Sequence, residues 1–321
     1  MFIDTYAHQT AFTAEDFLMA VKAGLRQQPR SIPPKYFYDS RGSELFERIC
    51  ETPEYYPTRT EAGILTQFGA AMAESIGRSC LLIELGSGSA SKTPLLLRHL
   101  ASDAVYMPID ICQPHLLQST LRLKTLFPEM QMQPVWADYM HLHTLPLGAA
   151  LDHLRRVIFF PGSSIGNCTP AEALELLRQA ATLAGDDGAL LIGVDAKKAE
   201  AVLHAAYNDA AGITADFNLN LLRRMQQELD AQLAIEGFAH QAFYNQVQGR
   251  IEMHLVSKGN QFIELDGERF EFAAGDSIHT ENSYKYTAAE FQQLAAQAGW
   301  RTDSCWADAE GWFNVFCFAR G

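Results

Sequence analysis

The sequence predicts an α/β fold, a doubly wound parallel sheet carrying a second, mixed α+β domain. Three observations predict it. Strand-sized apolar runs alternate with helix-like runs between residues 80 and 196. The first apolar run leads into a glycine-rich turn, Glu84-Leu85-Gly86-Ser87-Gly88. Beyond residue 197 the pattern changes to a long amphipathic segment and then to period-two alternation broken by turn dipeptides.

Taken in order, Thr13 to Pro57 is helical in pattern and offers no strand to a parallel sheet. Strands are expected at Cys80 to Leu85, Val105 to Asp110, Met132 to Ala137, Val157 to Phe160 and Ala189 to Val194. Between them lie helix-like runs at Lys92 to Leu100, His115 to Leu126 and Pro170 to Ala184. The last begins on Thr169-Pro170-Ala171-Glu172, with a capping hydroxyl, a proline at the first helical position and an acid in the first turn. Strand–helix alternation at this spacing requires right-handed crossovers and hence parallel neighbours.

From Thr214 to Leu233 an amphipathic helix places Phe217, Leu221, Leu222, Met225 and Leu229 on one face. The stretch from Gln241 to Phe272 reads as strands, with Gly259-Asn260 and Asp266-Gly267 as turns. A helix at Ala288 to Ala298 and a strand-like run at Trp312 to Ala319 restore the α/β pattern. Two domains follow: residues 58–196 with 287–321 form the Rossmann-like one, and 1–57 with 197–286 form the second.

Bulk composition narrows the function. The chain has 321 residues and a formal net charge of -13, with 38 acids against 25 bases. A phosphate backbone rewards clustered cations, so nucleic acid is disfavoured as a partner. The first twelve residues lack a cationic start followed by an apolar run, so no signal peptide is expected. The longest apolar runs, such as Ala189 to Val194, are far too short to span a membrane. Six scattered cysteines without a Cys-x-x-Cys pair suit free thiols in a reducing cytoplasm. His141 and His143 form a His-x-His without a third ligand nearby, and no metal is expected. The expected state is a cytoplasmic monomer acting on a small molecule, with no membrane partner.

The stretch from Leu81 to Thr93 carries the first chemistry. Gly86 and Gly88 let the backbone turn sharply and direct free amides at a ligand. Asp110 closes the next strand and suits ribose hydroxyls, while Asp138 with Tyr139 beside it suits an adenine amino group and ring. Three acids, Glu84, Asp110 and Asp138, end three successive strands, which fits a ligand carrying an ammonium, a ribose and an adenine. A nicotinamide dinucleotide is the rival. Its pyrophosphate prefers a third glycine where Ser91 stands, and Glu84 would repel it. These residues therefore point to S-adenosylmethionine and to the Rossmann-like sheet of a class I methyltransferase.

Further strings then become recognisable. Before the turn stand Pro33-Pro34-Lys35-Tyr36-Phe37-Tyr38-Asp39, Gly42-Ser43-Glu44-Leu45-Phe46 and Pro53-Glu54-Tyr55-Tyr56-Pro57-Thr58-Arg59-Thr60-Glu61. After it come Phe160-Pro161-Gly162-Ser163-Ser164-Ile165-Gly166-Asn167, Ala206-Tyr207-Asn208-Asp209 and Thr280-Glu281-Asn282-Ser283. In this order, over nearly the whole chain, the sequence resembles the histidine-specific Nα-methyltransferases of ergothioneine biosynthesis, which convert L-histidine to its trimethylbetaine, hercynine.

The resemblance implies S-adenosylmethionine as donor, L-histidine as substrate and the first step towards ergothioneine. It implies donor contacts at Gly86, Lys92, Asp110, Asp138 and Tyr139, with Glu84 and Gly88 in the same turn. Substrate contacts fall on Tyr55, Asn167, Tyr207, Glu281 and Ser283. Of these, Asn167 and Tyr207 would hold the carboxylate, and Glu281 and Ser283 would address the imidazole. Tyr55 stands near the imidazole and is a candidate proton relay; it and Asn167 are the catalytic candidates. Gly162 would present backbone to the amine, and Phe46 and Met253 would line the pocket. Relatives that methylate other aromatic amino acids or amines, tryptophan- or tyrosine-type, differ at the places of Met253 and Glu281; both are of the histidine type here.

Overall fold

The computed structural model describes residues 6–7, 13–147 and 151–321. The chain opens with β1 (Tyr6–Ala7), α1 (Ala14–Arg26), β2 (Arg30–Ser31), α2 (Ser40–Glu51) and α3 (Tyr56–Ile76). The alternating region follows: β3 (Cys80–Leu85), α4 (Pro94–Leu97), β4 (Val105–Asp110), α5 (Gln113–Leu126), β5 (Gln131–Met132), β6 (Val135–Trp136), β7 (Arg155–Phe160), α6 (Pro170–Ala184) and β8 (Ala189–Asp195). Next come α7 (Glu200–Tyr207), α8 (Ile213–Leu229), β9 (Phe238–Asn245), β10 (Arg250–Ser257), β11 (Gln261–Leu265), β12 (Glu268–Phe272) and β13 (Ser277–Tyr284). The chain ends on α9 (Ala288–Gln297), β14 (Trp300–Ala307) and β15 (Phe313–Arg320). These elements divide into two compact units, Met1–Ala11, Tyr56–Lys197 and Tyr284–Gly321 in one, Phe12–Tyr55 and Lys198–Ser283 in the other.

The first unit is built on a sheet of order β1-β6-β4-β3-β7-β8-β15-β14, with β5 also beside β4. β3 pairs in parallel with β4 on one side and β7 on the other, and β7 pairs in parallel with β8. β15 runs antiparallel to β8 and to β14. The order of the parallel strands thus reverses at β3, and the crevice beyond the carboxyl ends at such a switch point is where open α/β sheets bind ligands. Both faces of β3 are buried. Leu81 and Ile83 pack into a core with residues of α6 and α9, and Cys80 and Leu82 into one with residues of α3. That explains the unbroken apolar run, since strands covered on both faces need no polar alternation.

Several local expectations are corrected here. The helix expected over Lys92 to Leu100 shrinks to α4, because the amides of His99 and Leu100 bond three residues back, to Leu96 and Leu97, and the chain tightens out of the α form. The strand expected at Met132 to Ala137 is two short pieces, β5 and β6, flanking Pro134, which has no amide to give a ladder. The edge strand β14 was not foreseen; its alternate residues are exposed, so it lacks the apolar continuity of the inner strands. Tyr6 and Ala7 pair in parallel with Val135 and Trp136, so these two residues add a short strand to the large sheet.

In the second unit the order is β2-β13-β10-β9, with β11 and β12 as a separate hairpin. Arg30 and Ser31 pair in parallel with Ile278 and His279, so the N-terminal segment does supply one short parallel strand, though to this small sheet. The β11–β12 turn is made at Asp266 (φ 49°) and Gly267 (φ 71°), the twin left-handed residues of a tight hairpin. Gly259-Asn260 turns the chain without joining paired strands, since β10 and β11 lie in different sheets. α8 buries Phe217, Leu221, Leu222 and Met225 as its spacing predicts.

Candidate active site

In the first unit, β3 runs into the turn through Gly86 (φ 66°) and Gly88 (φ 50°). The amides of Gly86 and Ser87 both donate to the Ile109 carbonyl, at 2.9 and 3.0 Å, which pins the turn to the end of β4. Asp110 completes the bracket. Its Oδ2 accepts from the Gly88 amide and its Oδ1 from the Cys112 amide, each at 2.8 Å. Burial raises its pKa in spite of these bonds. No atom lies within 4 Å of where a Gly88 side chain would start, so that side of the turn is open. A side chain on Gly86 would meet the Tyr139 ring at 3.2 Å.

Asp138 is buried, caps a short 3-10 turn at Tyr139–His141 and accepts from the Met140 amide at 2.9 Å. Tyr139 stands edge-on to Phe160 at 5.4 Å, at the end of β7. The Ser87 hydroxyl is buried in the same turn without a hydrogen-bond partner. A buried orphan hydroxyl beside an open glycine is what a turn built round a polar ligand presents.

Glu84 is held from within the fold. It is buried, and its carboxylate accepts from the Thr93 hydroxyl at 2.9 Å and the Tyr106 hydroxyl at 2.5 Å. Burial lifts its pKa to about 7, although Tyr106, Thr93 and Lys92 pull the other way. Its shown contacts tie the end of β3 to α4 and β4.

Two buried acids that sequence reasoning passed over stand at the neighbouring loop. Glu61 of α3, 1% exposed, forms a close ion pair with Lys92 and accepts from the Gly162 amide with both oxygens, at 3.0 and 2.9 Å. Asp195, at the end of β8, accepts from Tyr56 at 2.9 and 2.7 Å and pairs with Lys285 at 2.7 Å, all three fully buried. The Asp195 amide donates to the Ser163 hydroxyl at 2.8 Å. That bond steadies Ser163 at φ 61°, a left-handed conformation that a side chain adopts only when its surroundings impose it. Gly162 and Asn167 therefore sit on a loop clamped at two points. One signal pointed to Asp195: a carboxylate closing an otherwise apolar strand.

The second unit gathers aromatic residues. Tyr55 and Tyr207 meet edge-on at 6.2 Å, Phe46 meets Tyr55 edge-on at 6.2 Å, and Tyr38 and Phe217 complete the cluster. The Tyr207 hydroxyl donates to the Ser283 hydroxyl at 2.7 Å. Burial pushes the Tyr55 phenol well above its ordinary pKa, and nearby Tyr207, Cys50, Glu281 and Tyr38 add to the shift. Glu281 is half-buried on β13, and Met253 is buried on β10. The structure thus brings Phe46, Tyr55, Tyr207 and Ser283 together, with Glu281 close enough to act on Tyr55. Gly162 and Asn167 lie in the first unit.

Comparison with known proteins identifies the family. Residues 17–320 match the family described as histidine-specific methyltransferase, SAM-dependent. The histidine N-alpha-methyltransferase of Mycolicibacterium smegmatis is 37% identical over 314 residues, 96% of each chain. Its counterpart from Mycobacterium tuberculosis is 36% identical over 306 residues, 94% of each chain. The ergothioneine biosynthesis protein 1 of Neurospora crassa is 32% identical over 284 residues, 87% of this chain and 32% of that protein. With a match running through both units, the chain belongs to the S-adenosylmethionine-dependent histidine-specific methyltransferase family.

Proposed function

We propose that the protein is an L-histidine Nα-methyltransferase that uses S-adenosylmethionine to make Nα,Nα,Nα-trimethyl-L-histidine (hercynine), the first step towards ergothioneine. The observation that carries this reading is the family match from residue 17 to residue 320, which includes both the glycine turn and the Tyr55–Tyr207–Ser283 cluster. On this reading the first unit is the donor domain and the second supplies most substrate contacts.

The turn fits the donor. Asp110 has both carboxylate oxygens fixed by backbone amides, which leaves their remaining lone pairs for ribose hydroxyls. Asp138 and the Tyr139 ring suit the adenine, and the orphan Ser87 hydroxyl and the open face of Gly88 leave a polar surface for the chain between them. Glu84, Gly86 and Lys92 shape this turn, Lys92 through its pair with Glu61. When bound, the donor supplies an electrophilic methyl group on a sulfonium, whose sulfur keeps the bonding electron pair on transfer.

The chain's own residues then position the amine. Asn167 and Tyr207 donate to the substrate carboxylate without adding a charge, the Tyr207 hydroxyl turning its one hydrogen from Ser283 to do so. Glu281 and Ser283 satisfy the two imidazole nitrogens, and a site built for those polar atoms rejects a ring that lacks them. Phe46 and Met253 line the pocket, and Gly162 offers backbone to the amine. The amine attacks in its neutral form, so alignment supplies most of the acceleration. Tyr55, kept a neutral phenol by burial, orients the amine by hydrogen bonding and relays a proton without taking a lasting charge.

The test is direct. Purified protein with S-adenosylmethionine is given L-histidine, L-tryptophan or L-tyrosine in turn, and products are weighed. Gain of three methyl groups on histidine alone is expected. Methylation of tryptophan or tyrosine with histidine untouched would overturn the substrate assignment.

A further inference from the structure

The small sheet of the second unit carries a group of ligating side chains that the methyl-transfer reading does not use. β10 and β13 are neighbours, and they bring Glu252, His254 and His279 together, with one ligating atom from each lying within 4.8 Å of the others. Glu252 and His254 are two apart on β10 and so share a face, while Ile251, Met253 and Leu255 bury the opposite one.

The hydrogen bonds around the cluster fix which atoms are available. His279 Nε2 lies 3.0 Å from the Glu281 carbonyl oxygen. A carbonyl only accepts, so Nε2 carries the hydrogen, and the neutral ring has its bare lone pair on Nδ1. His254 Nδ1 lies 3.1 Å from the Ser277 hydroxyl and accepts from it, and its Nε2 lies 3.1 Å from Glu252 Oε2; a carboxylate only accepts, so Nε2 carries the hydrogen that a bound cation would displace. Glu252 Oε1 is occupied on its far side by Arg250, at 2.8 and 2.7 Å, and by Asn245 at 2.8 Å. His254 is stacked between Phe243 at 5.4 Å and His279 at 4.8 Å, which fixes its ring plane. Each of the three side chains is therefore anchored through one atom and has a second left for a ligand. Such outer anchoring orients the ligands of metal sites.

We propose that Glu252, His254 and His279 form a binding site for a divalent transition cation of the zinc class. Two imidazoles and one carboxylate are a donor set that suits such a cation, with water completing a tetrahedron. Zinc bonds of about 2.0–2.2 Å place neighbouring ligand atoms roughly 3.3–3.5 Å apart. The Glu252–His254 pair already stands at 3.1 Å; His279, stacked on His254, would rotate out of that stack to bring Nδ1 to the cation, since two parallel rings cannot both aim an in-plane lone pair at one point. Arg250 is the cation facing the cluster; it holds Oε1 and leaves Oε2 inward, and its charge moderates the affinity. A bound cation would lock β10 to β13.

Free histidine is itself a zinc chelator, so the test reads binding and not turnover. The full chain, stripped with a chelator and desalted, is titrated with zinc against a chromophoric chelator in the absence of histidine. One zinc per chain and a rise in Tm are expected. His254→Ala and His279→Ala should each lower zinc affinity at least tenfold, with His254→Gln as a milder second replacement. Stabilisation by S-adenosylhomocysteine, measured on the same samples, should persist and shows that the variants fold. Absence of stoichiometric zinc uptake by the wild type would overturn the site. So would undiminished uptake by all three folded variants, which would place the zinc elsewhere, for instance at His141 and His143.

Discussion

Replacing Glu84 by glutamine tests how the donor turn is held. The carboxyl titrates near 4.5 when unfolded and at about 7 in the folded protein, burial being the main cause. A folded pKa raised above the unfolded one means that the native state holds the proton more tightly. The resulting stabilisation is complete below about pH 4.5 and is lost as the pH climbs through 7. At about 1.4 kcal/mol per pH unit, a difference of two to three units comes to about 3 kcal/mol, of which roughly 2–3 kcal/mol is lost between about pH 5 and pH 8.5. Glutamine keeps an acceptor for Thr93 and Tyr106 but does not titrate.

Urea unfolding of the donor-free protein and of Glu84→Gln, each at both pH values, isolates the effect. His240 and His279, whose pKa values burial lowers, favour the fold as pH rises, but they are present in both proteins and cancel in the difference. Relative to wild type, the variant should gain roughly 2–3 kcal/mol on going from the acid to the alkaline condition, or roughly 5–10 °C in Tm for a domain of this size. A difference that stays constant within about 0.5 kcal/mol would refute the buried, protonatable carboxylate.

Other expectations are narrower. Asp110→Asn leaves one of the Gly88 and Cys112 amides without its acceptor, and should weaken S-adenosylhomocysteine binding by calorimetry at least tenfold while the fold survives. Glu61→Ala strands Lys92 and the Gly162 amide, and should cost about 3–5 kcal/mol in thermal or denaturant unfolding. Gly193→Ala should lose about 1–3 kcal/mol by a different route, since its new carbon would lie 2.1 Å from Glu61 Oε1 and 2.9 Å from the Phe313 ring. Tyr207→Phe removes the hydroxyl bonded to Ser283, and should raise the KM for histidine roughly tenfold with donor affinity unchanged; equal loss of both would remove Tyr207 from the substrate site.

The parts legible in the sequence were those governed by near neighbours. An apolar run entering Gly86 and Gly88 can be read directly, because strand burial and positive φ are local demands. The capping box at Thr169 and Glu172 and the hairpin at Asp266 and Gly267 are read the same way. β13 was harder, since Glu281 and Ser283 lie on a strand of mixed burial whose partners are β10 and a two-residue piece from the N-terminal segment. Glu61 gave still less away. It sits in a helix where a surface acid would look the same, and its contacts with Lys92 and Gly162 span 31 and 101 residues.

Local pattern thus determined the inner parallel strands, the glycine turn and, through its ordered strings, the family. The tertiary structure decided what each charge does. It made Glu84 a buried brace between β3, β4 and the start of α4, because Thr93 and Tyr106 meet its carboxylate there. It set Asp195 against Tyr56, 139 residues away, and brought the Asp195 amide to Ser163 in the loop that carries Gly162 and Asn167. It also stacked His254 on His279 from separate strands. A carboxylate's role depends on who shares its burial, and that is settled only when distant segments close around it.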